Sequence, residues 1–169
     1  MIELVDDDFG PDSENRLRES GDPGHVGAFA ALESFYFALN TADLDVLSAI
    51  WSPHRLAQLN NPLGGILRGG ADVTELYRGV FAGGLQVQVT FTDAVAYWSP
   101  ALAVFAGRET GTYQDDDLGD VPLEIRTTRI FGYDEEVGRW LQLHHHGSID
   151  RPEALLAYQL AAERSRAKP

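Results

Sequence analysis

Residues Arg126 to Ser148 hold two strand-length runs around an acidic turn. The first run, Arg126-Thr-Thr-Arg-Ile-Phe, and the second, Arg139-Trp-Leu-Gln-Leu-His-His-His, carry the β-branched and aromatic residues that suit a pleated surface. Asp134 to Gly138 between them supply turn chemistry, so the segment reads as a β-hairpin. The second run ends in polar residues where a strand over a closed core would stay apolar. That pattern predicts a sheet whose end opens into a cavity.

The remaining chain divides by period. Residues 24–40 carry Val26, Phe29, Ala30, Leu32, Tyr36, Phe37 and Leu39 at helical spacing with a wide apolar stripe, which predicts a largely buried helix. Asp43 is placed to cap a short second helix through Ile50, with Leu44, Leu47 and Ile50 on one face. Residues 55–60 and 66–68 are short strand candidates around the turn Asn61-Pro-Leu-Gly-Gly. A third helix is expected from residue 71 or 72 to Phe81, with Val73, Leu76, Tyr77 and Val80 as its apolar face. After Gly83-Gly84 the period becomes two: Leu85, Val87, Val89 and Phe91 alternate with polar residues. Strands are then predicted over 93–98, 102–113, 123–133 and 139–149, with an acidic loop at 114–120. Asp150, Pro152 and Glu153 read as the capped start of a last helix, whose apolar side is Leu155, Leu156 and Leu160.

Residues 1–21 are acidic and interrupted by Gly10, Pro11 and Gly21, and are expected to form a flexible N-terminal arm. Residues 22–150 then make one domain, and 151–169 a terminal helix and tail. The chain of 169 residues fits a single domain. Helices gathered on one face of an antiparallel sheet define an α+β fold, and a strongly curved sheet of that kind leaves a hollow.

Charge and composition narrow the partners. A net charge of −13 repels phosphate backbones and anionic membranes, so neither nucleic acid nor membrane is expected. The absence of cysteine excludes disulfides, zinc–thiolate sites and a thiol nucleophile. The N-terminal residues lack the basic start and apolar run of a signal peptide, and the expected address is the cytoplasm. Gly64-Gly65, Gly69-Gly70 and Gly83-Gly84 lack the spacing of a phosphate loop, there is no Gly-x-Ser-x-Gly, and no cofactor is expected.

Leu39-Asn-Thr-Ala-Asp-Leu-Asp-Val-Leu, Trp51, Asn61-Pro-Leu-Gly-Gly-Ile-Leu-Arg-Gly and the closing hairpin resemble SnoaL-like domains of the nuclear transport factor 2 superfamily over residues 24–149. The hairpin is similar also to the association domain of calcium/calmodulin-dependent kinase II. The resemblance implies a conical α+β barrel with a cystatin-like fold, helices on its concave face, and a homodimer formed through the outer face of the sheet. Ketosteroid isomerase, scytalone dehydratase and polyketide cyclases share the superfamily with proteins that only bind or assemble, so the fold does not settle function. The kinase association domain has three pocket arginines. Only Arg129 carries over; the other two positions fall on Glu109 and Gly147.

Strand parity nominates a site. Leu141 and Leu143 set the inner side of the last strand and His145 follows them; Trp140, Gln142, His144 and His146 then face outward. Ile125, Thr127, Arg129 and Phe131 share one face of the strand before it, and Phe105, Gly107 and Glu109 share the pocket side of the next. A bulge inverts part of such an assignment. Glu109, Arg129 and His145 are therefore the candidate acid–base set, set against a buried Arg–Glu pair that only positions strands. Tyr36, Trp51, Asn60, Tyr77, Phe81, Trp98 and Phe105 are candidate ligand contacts, the aromatic ones competing with a plain core role. His144 and His146 could chelate an ion on one face, but no third ligand is marked by spacing, and no metal is expected. Asp93 at a strand end reads as a turn residue rather than a base. Two functions remain open: a cofactor-independent enzyme acting on a small, mostly apolar molecule by proton transfer, dehydration or cyclisation, and a non-catalytic dimeric binding domain. A small subunit of a ring-hydroxylating dioxygenase is a lesser third.

Overall fold

The wide apolar stripe of the first predicted helix becomes α1, His25–Thr41, in a computed structural model that describes residues 1–83, 87–115, 117–149 and 151–166, the side chains of 165 and 166 excepted. Its buried residues include Ala28, Leu32, Phe35 and Tyr36, with the helix sandwiched between the sheet and its helical neighbours. Ala42 ends it in the left-handed conformation, with φ of 56°. Asp43 then caps α2, Leu44–Ile50, its carboxylate accepting from the Val46 N–H at 3.0 Å.

The strands β2, Gln58–Asn60, and β3, Ile66–Arg68, form the short hairpin that precedes α3, Gly70–Ala82. The long strands follow as β4, Val87–Ser99, β5, Leu102–Asp115, β6, Gly119–Asp134, and β7, Arg139–Ile149. The last helix, α4, covers Pro152–Arg166. The expected cap at Asp150 and the apolar position Leu85 lie outside the described residues. The fold is α+β, as expected, with a curved sheet that does not close.

Residues 1–21 depart from the expectation of an arm without structure. Ile2–Val5 form a strand, β1, paired antiparallel to β4, and Phe9 bridges Phe91. Alternation explains why acidic composition hid the strand. Glu3 turns inward and accepts from Trp98 Nε1 at 2.8 Å, while Ile2 and Leu4 face out. Phe9 is buried beside Phe29 and Tyr36.

Among the described residues seven strands run in the order β1-β4-β5-β6-β7-β2-β3. Neighbours are antiparallel except β2 and β7, which are parallel. Register shifts between Thr92 and Val95 on β4, and beside Leu143 on β7, add local twist. Gly111 permits close crossing of β4 and β5, since a Cβ there would lie 1.9 Å from the Gln88 carbonyl oxygen. Asn40 ties the end of α1 to β4: its amide donates to the Val89 carbonyl at 3.0 Å, and its side-chain oxygen accepts from the Val89 N–H at 2.9 Å. This clamp sets the height of Tyr36, one helical turn earlier, above the sheet.

The last helix also departs from its sequence pattern. Tyr158, Ala161 and Ala162 are its buried side, while Leu156 and Leu160 are exposed. No helix among the described residues is long and apolar enough to cross a membrane.

Candidate functional site

Three strands and one helix bring four polar side chains together inside the sheet. Arg129 on β6 is 1 % exposed and donates through Nη2 to Glu109 Oε1 on β5 at 2.7 Å. Its Nε donates to the Tyr36 hydroxyl at 2.9 Å, and that hydroxyl donates to the same Glu109 oxygen at 2.7 Å. Its Nη1 donates to Gln142 Oε1 at 3.3 Å. The guanidinium carbon lies 3.6 Å from the centre of the Phe35 ring, a cation–π stack. Burial alone would pull the Arg129 pKa down, but Tyr36, Glu109 and Tyr77 more than offset it, and the net shift is upward. The guanidinium stays charged.

His145 is the Cα register partner of Arg129 and lines the same cavity as Glu109 and Arg129. It is 4 % exposed, yet neither ring nitrogen has a hydrogen-bond partner among the described residues. Burial first, then the charge of Arg129 and the adjacent His144 and His146, holds its pKa well below 6.5. The ring is neutral at pH 7, with one nitrogen able to accept a proton. Thr127 Oγ1, Gln142 Nε2 and Trp51 Nε1 are also buried without a partner among the described residues.

The cavity has a volume of about 80 Å³. Val89, Leu123 and Ile125 form apolar walls, and Tyr77 and Tyr158 close it from α3 and α4. Burial pushes the Tyr77 phenol up to about 12 and raises Tyr158 as well, so both remain neutral donors. Gly147 stands at one of the positions the family resemblance assigns to an arginine. A Cβ there would lie 3.3 Å from His145 Nε2 and 3.2 Å from Pro62 Cδ, so a glycine leaves room for the imidazole.

The structure thus brings Glu109, Arg129 and His145 to one cavity, with Tyr77 among its walls. The other expected ligand contacts lie elsewhere. Tyr36 sits behind the ion pair and Trp51 bridges Gln142. Asn60 accepts from Gln58. Phe81 packs on Tyr77. Trp98 stacks on His25 and packs, with Phe105, against Phe29, in an aromatic cluster away from the cavity. Asp93 is exposed at the β4 irregularity with φ of 50°. Among the described residues no group of three or more His, Cys, Asp or Glu could hold a metal ion, and His144 and His146 lie beside Gln58 and Asn60 of β2.

Parity on β7 needs one correction. Phe131 pairs with Gln142 and Ile130 with His144, so Leu143 is an extra residue. The alternation changes phase there, and Gln142 and Trp140, expected outside, are buried. Trp140 Nε1 donates to the Asp22 carbonyl at 2.9 Å. Sequence reasoning missed Gln142 for this reason. It missed Tyr158 because the leucines of α4 drew the apolar face toward themselves; the spacing of Tyr158, Ala161 and Ala162 was the available signal.

Solved structures share this fold. A dehydratase candidate of the nuclear transport factor 2-like family from Streptomyces avermitilis is 21% identical, with 73% of this chain and 94% of that chain covered and a TM-score of 0.65. A candidate calcium/calmodulin-dependent protein kinase II association domain from Xanthomonas campestris is 20% identical over 77% of this chain and 90% of that one, with a TM-score of 0.61. A ketosteroid isomerase-like protein from Erwinia carotovora atroseptica is 19% identical over 73% and 94%, with a TM-score of 0.57. No curated protein matches the chain. The SnoaL-like domain model matches residues 29–152, from α1 through all the strands that build the cavity, and the chain belongs to that family.

Proposed function

We propose that this protein binds a small, mostly apolar, uncharged molecule and moves a proton on it without a cofactor, as an isomerase, dehydratase or cyclase does. The observation that carries the reading is His145, neutral, buried and without a hydrogen-bond partner, on a cavity that also reaches Arg129 and Glu109. The positive charge of Arg129 is matched by Glu109, which argues for a neutral ligand rather than an anion. In the proposed step, His145 takes a proton from the carbon next to a substrate carbonyl. The Arg129 guanidinium faces the oxygen on which negative charge develops, and the proton returns at another carbon or leaves with a hydroxide as water.

The test is solvent deuterium incorporation, followed by NMR, into lactones and polycyclic ketones that bind the protein. Incorporation should fall by about 100-fold or more in His145→Gln. Compounds that bind but acquire no deuterium from the wild type would refute the enzymatic reading.

One observation favours the non-catalytic alternative, a dimeric binding domain. Arg129 and Glu109 already satisfy one another directly, with Tyr36 bridging the pair and Gln142 accepting from Arg129, as a strand-positioning network would. Self-association through the outer sheet face belongs to both readings. Ile2, Leu4 and Tyr97 are exposed there, and Ile2 pairs with Tyr97.

A further inference from the structure

The cavity of about 80 Å³ is far smaller than the roughly 300–1,000 Å³ of small-molecule sites, and Tyr158 is part of what fills it. The Tyr158 ring lies 4.6 Å from that of Tyr113, centre to centre, and the side chain is 7 % exposed. Directly beyond lies a groove of about 450 Å³ between the β2–β3 turn, α3 and α4, with Gln159, Ala162 and Glu163 on its α4 side. Asn61, Leu63 and Leu76 line both spaces and so form the partition between them. The α4 residue Tyr158 walls the cavity, and Gln159, Ala162 and Glu163 wall the groove, so α4 is one side of both spaces and its outward movement would uncover both.

Among the described residues the helix is fastened lightly. Gln159 Nε2 donates to the Leu63 carbonyl at 2.7 Å, and Arg164, itself half exposed, pairs with Asp115. Among the described residues its buried side is Tyr158, Ala161 and Ala162, with Ala154 and Leu155 half-buried and Leu156 and Leu160 in solvent. An element with so little apolar burial and a few polar ties is the kind that opens locally, without global unfolding.

We propose that α4 is a displaceable cover and that Tyr158 occupies the seat of the ligand, a neutral molecule with a flat ring that takes the place of the phenol beside Tyr113. The proposal rests on the reading of the cavity as a ligand site and adds the ligand's shape and its way in. Tyr158 is then a specificity residue. It excludes anything that cannot replace its own ring contact, and it keeps water from His145 when the site is empty of ligand.

The experiment uses the full chain and Arg164→Ala, which removes the tie to Asp115 at an exposed position. Hydrogen exchange is followed by mass spectrometry with and without 2-naphthol, an uncharged two-ring probe. Amides of α4 should exchange through local opening, about 10-fold faster in Arg164→Ala, with β6 and β7 unchanged. Exchange of α4 in step with β6 and β7 in both proteins overturns the cover. The variant should bind 2-naphthol about 10-fold more tightly, since less of it is held closed, and the probe should speed α4 exchange in the wild type. Equal affinities, or α4 slowed by the probe, overturn the displacement. Local opening with no binding to either protein overturns Tyr158 as the stand-in for a ring, and leaves proton transfer to its separate deuterium test.

Discussion

The Tyr36 hydroxyl donates to Glu109 Oε1 at 2.7 Å while accepting from Arg129 Nε, so one side chain of α1 bridges an ion pair that two strands make directly. The helix and the sheet are thereby locked at the depth of the cavity. Burial raises the Tyr36 pKa well above 10, with Arg129 opposing, and the hydroxyl keeps its proton. Tyr36→Phe removes the bridge and leaves the Arg129 Nε–H without that acceptor. The expected loss is about 1–3 kcal/mol of unfolding free energy, read from urea titration. A midpoint within error of the wild type would show that the bridge contributes nothing.

Arg129→Met should be costlier. It strands a carboxylate in the interior, and breaking a buried pair from one side costs about 3–5 kcal/mol. Arg129→Met combined with Glu109→Gln should recover part of that loss, because no ion is then left unpaired. A double-mutant cycle in denaturant measures the coupling. Strictly additive single effects would contradict a direct pair.

His145 gives stability a pH dependence of known sign. Its folded pKa lies well below 6.5, the value it resumes on unfolding. Above 6.5 both states are neutral and the residue adds no slope. As pH falls below 6.5 the unfolded chain takes up a proton that the folded chain refuses, and stability drops by about 1.4 kcal/mol per pH unit until the folded pKa is reached. Comparing His145→Gln with the wild type between pH 7 and 5 isolates this slope. Parallel curves would mean that the imidazole is not held neutral.

Much of the fold was legible because it rests on local chemistry. The Asp43 cap, the Asn61–Gly65 turn and the two-residue alternation of β4 each declare themselves within a few residues. The face shared by Ile125, Thr127, Arg129 and Phe131 was legible for the same reason, as β6 keeps its alternation from Val121 to Phe131. What escaped depended on long-range pairing. β1 is a strand only because β4 offers an edge some 90 residues later, and its acidic neighbours mask the alternation of Ile2 and Leu4. Gln142 and Trp140 escaped because a bulge leaves no residue-type signature on β7. Phe105 is buried and Trp98 half-buried, but both meet Phe29 rather than the cavity, a choice made by the packing of α1.

The extra residue at Leu143 makes β7 two half-strands of opposite phase, with Gln142 on one and His145 on the other. Because of it Gln142 and His145, three residues apart, both face inward, which strict alternation forbids. Moving the extra residue to before Gln142 or after His145 would turn one of the two out toward solvent with every residue type kept, so relatives of this chain that carry the bulge elsewhere on β7 should differ in reactivity before they differ in composition.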